Sequence, residues 1–537
     1  MNPKIEGLLE LSIDTPKEVR DKIPDLGAYD TGDNRFEVVF RAVRYPEEFA
    51  ALHPDVRITE LLGGFYIAWL SPEEIEDLAS YSQVLYIEKP RNMIEELYSS
   101  ISVSCINQAK ESFALGGPQL TGRGVLVGIV DTGIDITSDE FINEDNTTRI
   151  LWYWNQEDNT FLDETMINSI LAGEYEYDNQ SGSNISHGQD VAVIAAGKSG
   201  VASESRLIVV KLSRLSGTGF LRSTSLMKGV DFCIRKAIEY SLPIAVNVSF
   251  GTNYGDHLGN SLLEQYFDTA SFLYKCNICV GVGNEGAGRT HYYGELNSFD
   301  TFDIELGVGR FETGISFSLW KNYVDECDCF LISPSGIPRK MHRFVPGPIG
   351  EMEEFFGFIY SDSGYIEDGV WTIRIESGRI LDGSFNIWLQ DSSTIRRNTG
   401  FLRPSPDFTF TIPSTARRVI SVGAYDVSLE TVATFSGRGE VINNGLRLYS
   451  KPEIIAPGKD LFIESSKRIV SGTSYATPLV TGSIALMMEW GITRKNDLLM
   501  YGDRVKVMLE KGALRQDMAY PAVSTGFGRL CLYRSLF

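Results

Sequence analysis

Long apolar runs are missing from this chain of 537 residues, and so is any excess of positive charge. No stretch approaches the roughly 18 consecutive apolar residues that a membrane-crossing helix needs, which excludes a helical membrane span. The N-terminal MNPKIEGLLELSIDTPKEVR alternates charge with short apolar pieces. It lacks the unbroken apolar core and small-residue cleavage site of a secretion signal, so an intracellular location is expected. Lysine and arginine number 49 against 71 aspartates and glutamates, a formal net charge of −22. Nucleic acid and anionic lipid would both be repelled, which excludes them as partners. Cysteine is sparse as well: seven residues, odd in number and scattered, fit reduced thiols better than a disulfide framework. Tandem repeats and low-complexity segments are absent.

Two cysteine pairs invite a metal reading and fail it. Cys276 and Cys279 in CNIC lie three apart on an expected strand and so face opposite ways. Cys327 and Cys329 share a face, but no second pair completes four ligands, and they are expected to form an exposed dyad. No metal and no cofactor is expected.

What the chain does have is apolar residues, at 43%, spread over a length beyond the roughly 250 to 300 residues at which single cores stop growing. Several units are therefore expected. Residues 1–98 give the order strand, helix, strand, strand, helix, strand of a small ferredoxin-like layer. Its second helix opens on Ser71, Pro72 and Glu74, a capping box. From Asn92 the composition becomes that of a linker. Residues 99–288 and 411–537 alternate continuous apolar strands (GVLVGIVD, SRLIVVKL, PIAVNVSFG, KCNICVGVG) with helical stretches, the pattern of a parallel sheet covered on both faces. Residues 289–410 break that rhythm with short aromatic-rich runs of period two, such as GISFSLWKNYV and GVWTIRIESG. They are expected to form an all-β sandwich inserted into the α/β unit.

The chemistry-bearing residues are DTGID at Asp131, SHGQDVAVIAAG at His187, VGNEG at Asn284 and GTSYATP at Ser474. Taken singly, Asp131 is as readily a helix-capping acid, His187 a structural histidine and Ser474 a cap. Together, in the order Asp, His, Ser with flanking glycines, they resemble the aspartate, histidine and serine boxes of the subtilisin-like (S8) serine peptidases. The resemblance implies an Asp131–His187–Ser474 triad, Asn284 as oxyanion donor, and substrate-binding walls at Ser249, Phe250 and Gly251 and at Gly281, Val282 and Gly283. It further implies that residues 1–98 are an inhibitory propeptide bound to the catalytic domain, and the linker composition just past them leads to an expected self-cleavage between Tyr98 and Ser104.

Two departures from the family pattern stand out. Gln189 and Asp190 follow His187–Gly188 where the family usually has threonine and a second histidine. An inward Asp190 would raise the imidazole pKa and weaken it as a base, so an outward or capping Asp190 is expected. The short GKSGVASES leaves no room for the calcium loop of many secreted relatives, so strong calcium dependence is not expected. The inserted sandwich, the missing secretion signal and the phrases TTRILWYWNQ and TGFGRLCLY look like the Csp germination proteases of spore-forming anaerobes. That likeness implies a jelly-roll insert, a cytoplasmic or spore-associated location, and a protein or peptide substrate, the zymogen of a cortex hydrolase. The alternative is a catalytically impaired pseudoprotease that binds or signals.

Overall fold

The computed structural model describes residues 2–20, 26, 29–30, 35–44, 46–95, 104–111, 119–177, 186–214, 221–345, 351–361, 364–443, 448–463, 465–515 and 520–536. Strand Arg35–Ala42 lies at the centre of the N-terminal layer. It pairs antiparallel with Phe65–Leu70 on one side and Val84–Glu88 on the other, while Ile58–Glu60 flanks Phe65–Leu70. Helices Glu47–Leu52 and Pro72–Ser80 connect these strands in the expected ferredoxin-like order. The capping box forms: the Glu74 N–H donates to Ser71 Oγ at 3.3 Å and the Ser71 N–H to Glu74 Oε2 at 2.8 Å. A further helix, Gly7–Asp14, precedes the layer and buries Leu8 and Leu9.

The α/β unit is a sheet of seven parallel strands: β1 (Leu126–Asp131), β2 (Ile150–Asn155), β3 (Arg206–Lys211), β4 (Ile244–Val248), β5 (Cys276–Gly281), β6 (Ile420–Asp426) and β7 (Ile454–Pro457). Their order is β2-β3-β1-β4-β5-β6-β7, with short antiparallel strands Thr160–Asp163 beside β2 and Thr431–Val432 beside β6. Every residue of β1, β4 and β5 is buried, because helices cover both faces. Helices α1 (Ser186–Ala196) and α4 (Thr473–Met488) lie in one apolar cluster with Cys279, while α2 (Ser223–Tyr240) and α3 (Leu262–Leu273) lie in another with Cys276. The two cysteines do face opposite sides of the sheet. From β1 the chain turns first towards β2 and β3 and then returns past β1 to β4. The carboxyl end of β1 therefore lies at a topological switch point, where open α/β sheets place ligands.

Two five-stranded antiparallel sheets, running from His291 to Phe401, form the inserted sandwich. Strand Cys327–Ile332 alternates buried and half-buried residues strictly. Its phase puts Cys327, Cys329 and Leu331 inside, in contact with the sandwich core. The expected exposed dyad is thus corrected to a buried one. The expectation of reduced thiols throughout is corrected too, since Cys105 and Cys531 are joined in a disulfide. Scatter along the sequence says nothing of distance in space, and docking of Leu532–Leu536 beside Ile106–Glu111 brings residues separated by 426 positions together.

The N-terminal layer rests on α2 and α3. The Leu262 N–H at the start of α3 donates to Glu88 Oε2 at 2.9 Å, Arg222 Nη1 donates to Glu37 Oε2 at 2.7 Å, and the Leu62 N–H donates to Asp231 Oδ1 at 3.0 Å. All three parts of the molecule meet at Tyr254. The Arg91 guanidinium carbon lies 4.3 Å from its ring centroid while Arg91 Nη2 holds Glu6 Oε1 at 2.6 Å, and the Tyr254 hydroxyl donates to Glu354 Oε1 of the sandwich at 2.9 Å.

Candidate active site

Asp131 is the last residue of β1 and is fully buried. Its Oδ1 accepts from the Thr132 N–H at 2.7 Å and lies 2.7 Å from His187 Nδ1. Placing a carboxylate at the rigid end of a buried strand fixes both the tautomer and the ring orientation of the histidine that faces it. His187 opens α1, and the residue after it must be glycine. A Cβ on Gly188 would lie 2.4 Å from the Gly133 carbonyl oxygen. The same close approach lets the Gly188 N–H donate to Thr132 Oγ1 at 3.0 Å, tying the start of the helix to the strand end.

Ser474 is the second residue of α4, whose sixteen residues are all buried. The helix carries no charge and points its amide end at the crevice. Pro478 explains a hydrogen bond that follows. It has no N–H to give the carbonyl four residues back, which belongs to Ser474. That carbonyl instead accepts from Ser249 Oγ at 3.1 Å, and Ser249 Oγ accepts from Asn247 Nδ2 at 2.9 Å. One substrate wall is thereby bonded to the backbone of the serine. Ser474 Oγ makes no hydrogen bond among the described residues, so the bond to the imidazole is not formed in this state. The imidazole ring packs 5.4 Å from the ring of Tyr475, the next residue in the chain, and 5.9 Å from Phe250.

Asn284 follows β5, half-buried beside the start of α4. Its Oδ1 accepts from the Thr473 N–H at 3.1 Å, which leaves the amide group of the side chain as the donor end. Gly283 has φ +94° and its N–H donates to Thr473 Oγ1 at 3.2 Å; a Cβ there would meet Thr411 Cγ2 at 2.6 Å. Gly281 and Val282 are buried on the same wall. The structure thus brings Asp131 against His187, His187 against Tyr475 and Phe250, and Ser249, Gly283 and Asn284 against the start of α4.

The linker expected from Asn92 is corrected for its first residues. Asn92–Glu95 form a strand between Leu221–Arg222 and Phe250–Gly251, antiparallel to both, with Met93 opposite Leu221, Glu95 opposite Phe250 and Ile94 opposite Gly251. The segment after the N-terminal layer thus adds a strand between two edges of the α/β unit, a mode in which backbone hydrogen bonds supply affinity. The cleavage stretch expected between Tyr98 and Ser104 lies outside the described residues except for Ser104.

Asp190 corrects another expectation. It is fully buried, with Oδ2 3.1 Å from Arg468 Nη1. Gln189 is the residue that binds outward, accepting from the Asp135 N–H at 2.9 Å and donating to Ser138 Oγ at 3.2 Å. Position i+3 on a helix shares a face with His187, and that spacing was the available signal for an inward carboxylate. Thr132, Thr473, Tyr475 and Arg468 were not singled out from the sequence, although the first three lie within the boxes DTGID and GTSYATP.

Comparison with known proteins finds two matching family models. Residues 3–91 match the family model described as Csp protease B prodomain, and residues 122–291 and 404–528 match the Subtilase family. The Clostridium perfringens CspB protease structure is 34% identical, with a TM-score of 0.74, over 81% of this chain and 95% of that one. The subtilase-type proteinase RRT12 of Saccharomyces cerevisiae is 39% identical over 87 residues, 15% of each chain. A subtilisin-like protease of Coccidioides posadasii is 26% identical over 210 residues, 37% of this chain and 46% of that one. The chain thus spans less than half the length of these two curated relatives.

Proposed function

Because the chain belongs to the subtilase family, we propose that it is a serine endopeptidase made as a zymogen with its own N-terminal inhibitor. The observation that carries this reading is the buried His187–Asp131 pair, 2.7 Å apart, packed against the residue that follows Ser474. In the reaction His187 Nε2 takes the Ser474 proton as the hydroxyl attacks the substrate carbonyl. Asp131 stabilises the resulting imidazolium, and the Asn284 amide donates to the developing oxyanion. His187 then returns the proton to the leaving amine, and water completes hydrolysis by the same route.

The first substrate is the chain itself. Strand Asn92–Glu95 runs through the groove towards the crevice. The partner strand Phe250–Gly251 is preceded by Ser249, whose Oγ is bonded to the Ser474 carbonyl. Self-cleavage in this reading falls between Tyr98 and Ser104, downstream of that strand. The physiological substrate in this reading is the zymogen of a spore-cortex hydrolase, met inside the producing cell or its spore.

A second reading, a binding or signalling pseudoprotease, draws on the absent Ser474 hydrogen bond and the altered residues after His187. Labelling by a fluorophosphonate probe and intact mass separate the two. An active enzyme labels at Ser474 and yields two fragments, whereas Ser474→Ala gives one uncut mass and no label. Identical uncut masses for both proteins, with no label on either, would overturn the peptidase reading.

A further inference from the structure

Asp190 lies three residues after His187 on α1 and is 0% exposed. Arg468, on strand Arg468–Val470 of the hairpin that leads into Ser474, places Nη1 3.1 Å from Asp190 Oδ2, and its side chain keeps 39% of its surface in solvent. Burial raises the Asp190 pKa, while the charges of Arg468 and His187 pull it down. Tyr475 closes the group. It is fully buried, its ring centroid is 5.4 Å from that of His187, and Asp190, Arg468 and Asp131 all act on its hydroxyl. Among the described residues, the charged and titratable groups around His187 include Asp131 from β1, Asp190 from its own helix and Tyr475 from α4, with Arg468 of the hairpin paired to Asp190.

Two carboxylates acting on one imidazole, the second of them paired with a guanidinium, have a definite electrostatic consequence. Asp131 already favours the imidazolium, and a second uncompensated carboxylate would hold the ring protonated and unable to accept the Ser474 proton at neutral pH. We propose that Asp190 and Arg468 are positioning residues for His187, a carboxylate that favours the charged ring and a guanidinium that cancels this bias. The hairpin thereby sets the basicity of His187 from outside the triad. This rests on the triad reading above, and its test is built to fail separately from it.

The test is an NMR pH titration of His187, one of five histidines, in the uncleaved Ser474→Ala protein, which needs no activity. Arg468→Gln moves the midpoint up by roughly one pH unit and Asp190→Asn moves it down by a similar amount, the ordinary spread of environmental shifts. The double variant and Arg468→Lys both return close to the parent. Midpoints that do not move, or that move the same way in both single variants, overturn the proposal. Arg468 is part-exposed, so Arg468→Gln together with Arg468→Lys decides the matter even if Asp190→Asn does not fold. In the Ser474 enzyme the acid limb of kcat/KM follows the same directions. Shifted midpoints in an inactive wild type would refute the peptidase reading and leave this one standing.

Discussion

At the scale of the residue, the site depends on what small groups permit. Gly188 lets α1 approach the end of β1 so closely that an added Cβ would lie 2.4 Å from the Gly133 carbonyl. Gly188→Ala should therefore push His187 away from Asp131. Measured kcat/KM is expected to collapse, with a stability loss of about 1 to 3 kcal/mol in denaturant unfolding, the usual cost of overpacking. Asn284 plays a different part in the proposed reaction, since its Oδ1 is committed to the Thr473 N–H and its amide group is left as the donor end. Asn284→Ala should lower kcat about 10²- to 10³-fold with KM little changed, because the lost bond is made in the transition state. An equal rise in KM would argue that Asn284 binds the ground state instead.

Elements act through how they are tied together. The Cys105–Cys531 disulfide links Ile106–Glu111 to Leu532–Leu536, and both cysteines lie downstream of the proposed cut, so the link survives maturation within one polypeptide. Alkylating the denatured, unreduced protein should label five cysteines and leave two protected. Cys531→Ser should cost about 2 to 5 kcal/mol, the usual loss on removing a native disulfide. Labelling of all seven would mean that the pair is reduced in the isolated protein. The strand Asn92–Glu95 is the other tie. It pairs with both Leu221–Arg222 and Phe250–Gly251, the latter proposed as a substrate wall, so the freed N-terminal layer should act as a competitive inhibitor of its own enzyme, measurable by adding residues 1–95 in trans to the matured form.

Across the molecule as a whole, the three parts lock at a buried junction rich in carboxyls. Burial raises the Glu354 pKa to about 7, and burial likewise raises Glu88. The folded state therefore holds a proton on Glu354 that the unfolded chain, with a pKa near 4.5, has already released. Stability is lost as pH rises from about 4.5 to about 7, and the full penalty persists above that. Glu354→Gln keeps a hydrogen-bonding side chain beside Tyr254 and Ser318 without the charge. It should match wild type in thermal unfolding at pH 4 and exceed it at pH 8 by on the order of 2 to 3 kcal/mol. Wild type and variant running parallel across that range would show that the junction does not titrate.

The sequence by itself determined the local pieces: the buried strands that end in Asp131 and lead to Asn284, the uncharged helix behind Ser474, the capping box at Ser71 and the two-residue alternation of the sandwich. Those follow from side-chain polarity and periodicity, which act over a few residues. Only the tertiary structure decided which way Asp190 points, that Cys105 meets Cys531, that Cys327 and Cys329 face inward, and that Asn92–Glu95 is a strand. Each of these depends on a partner far along the chain (Arg468, the C-terminal helix, the facing sheet, the walls at Leu221 and Phe250), and no local pattern encodes a neighbour that only packing supplies.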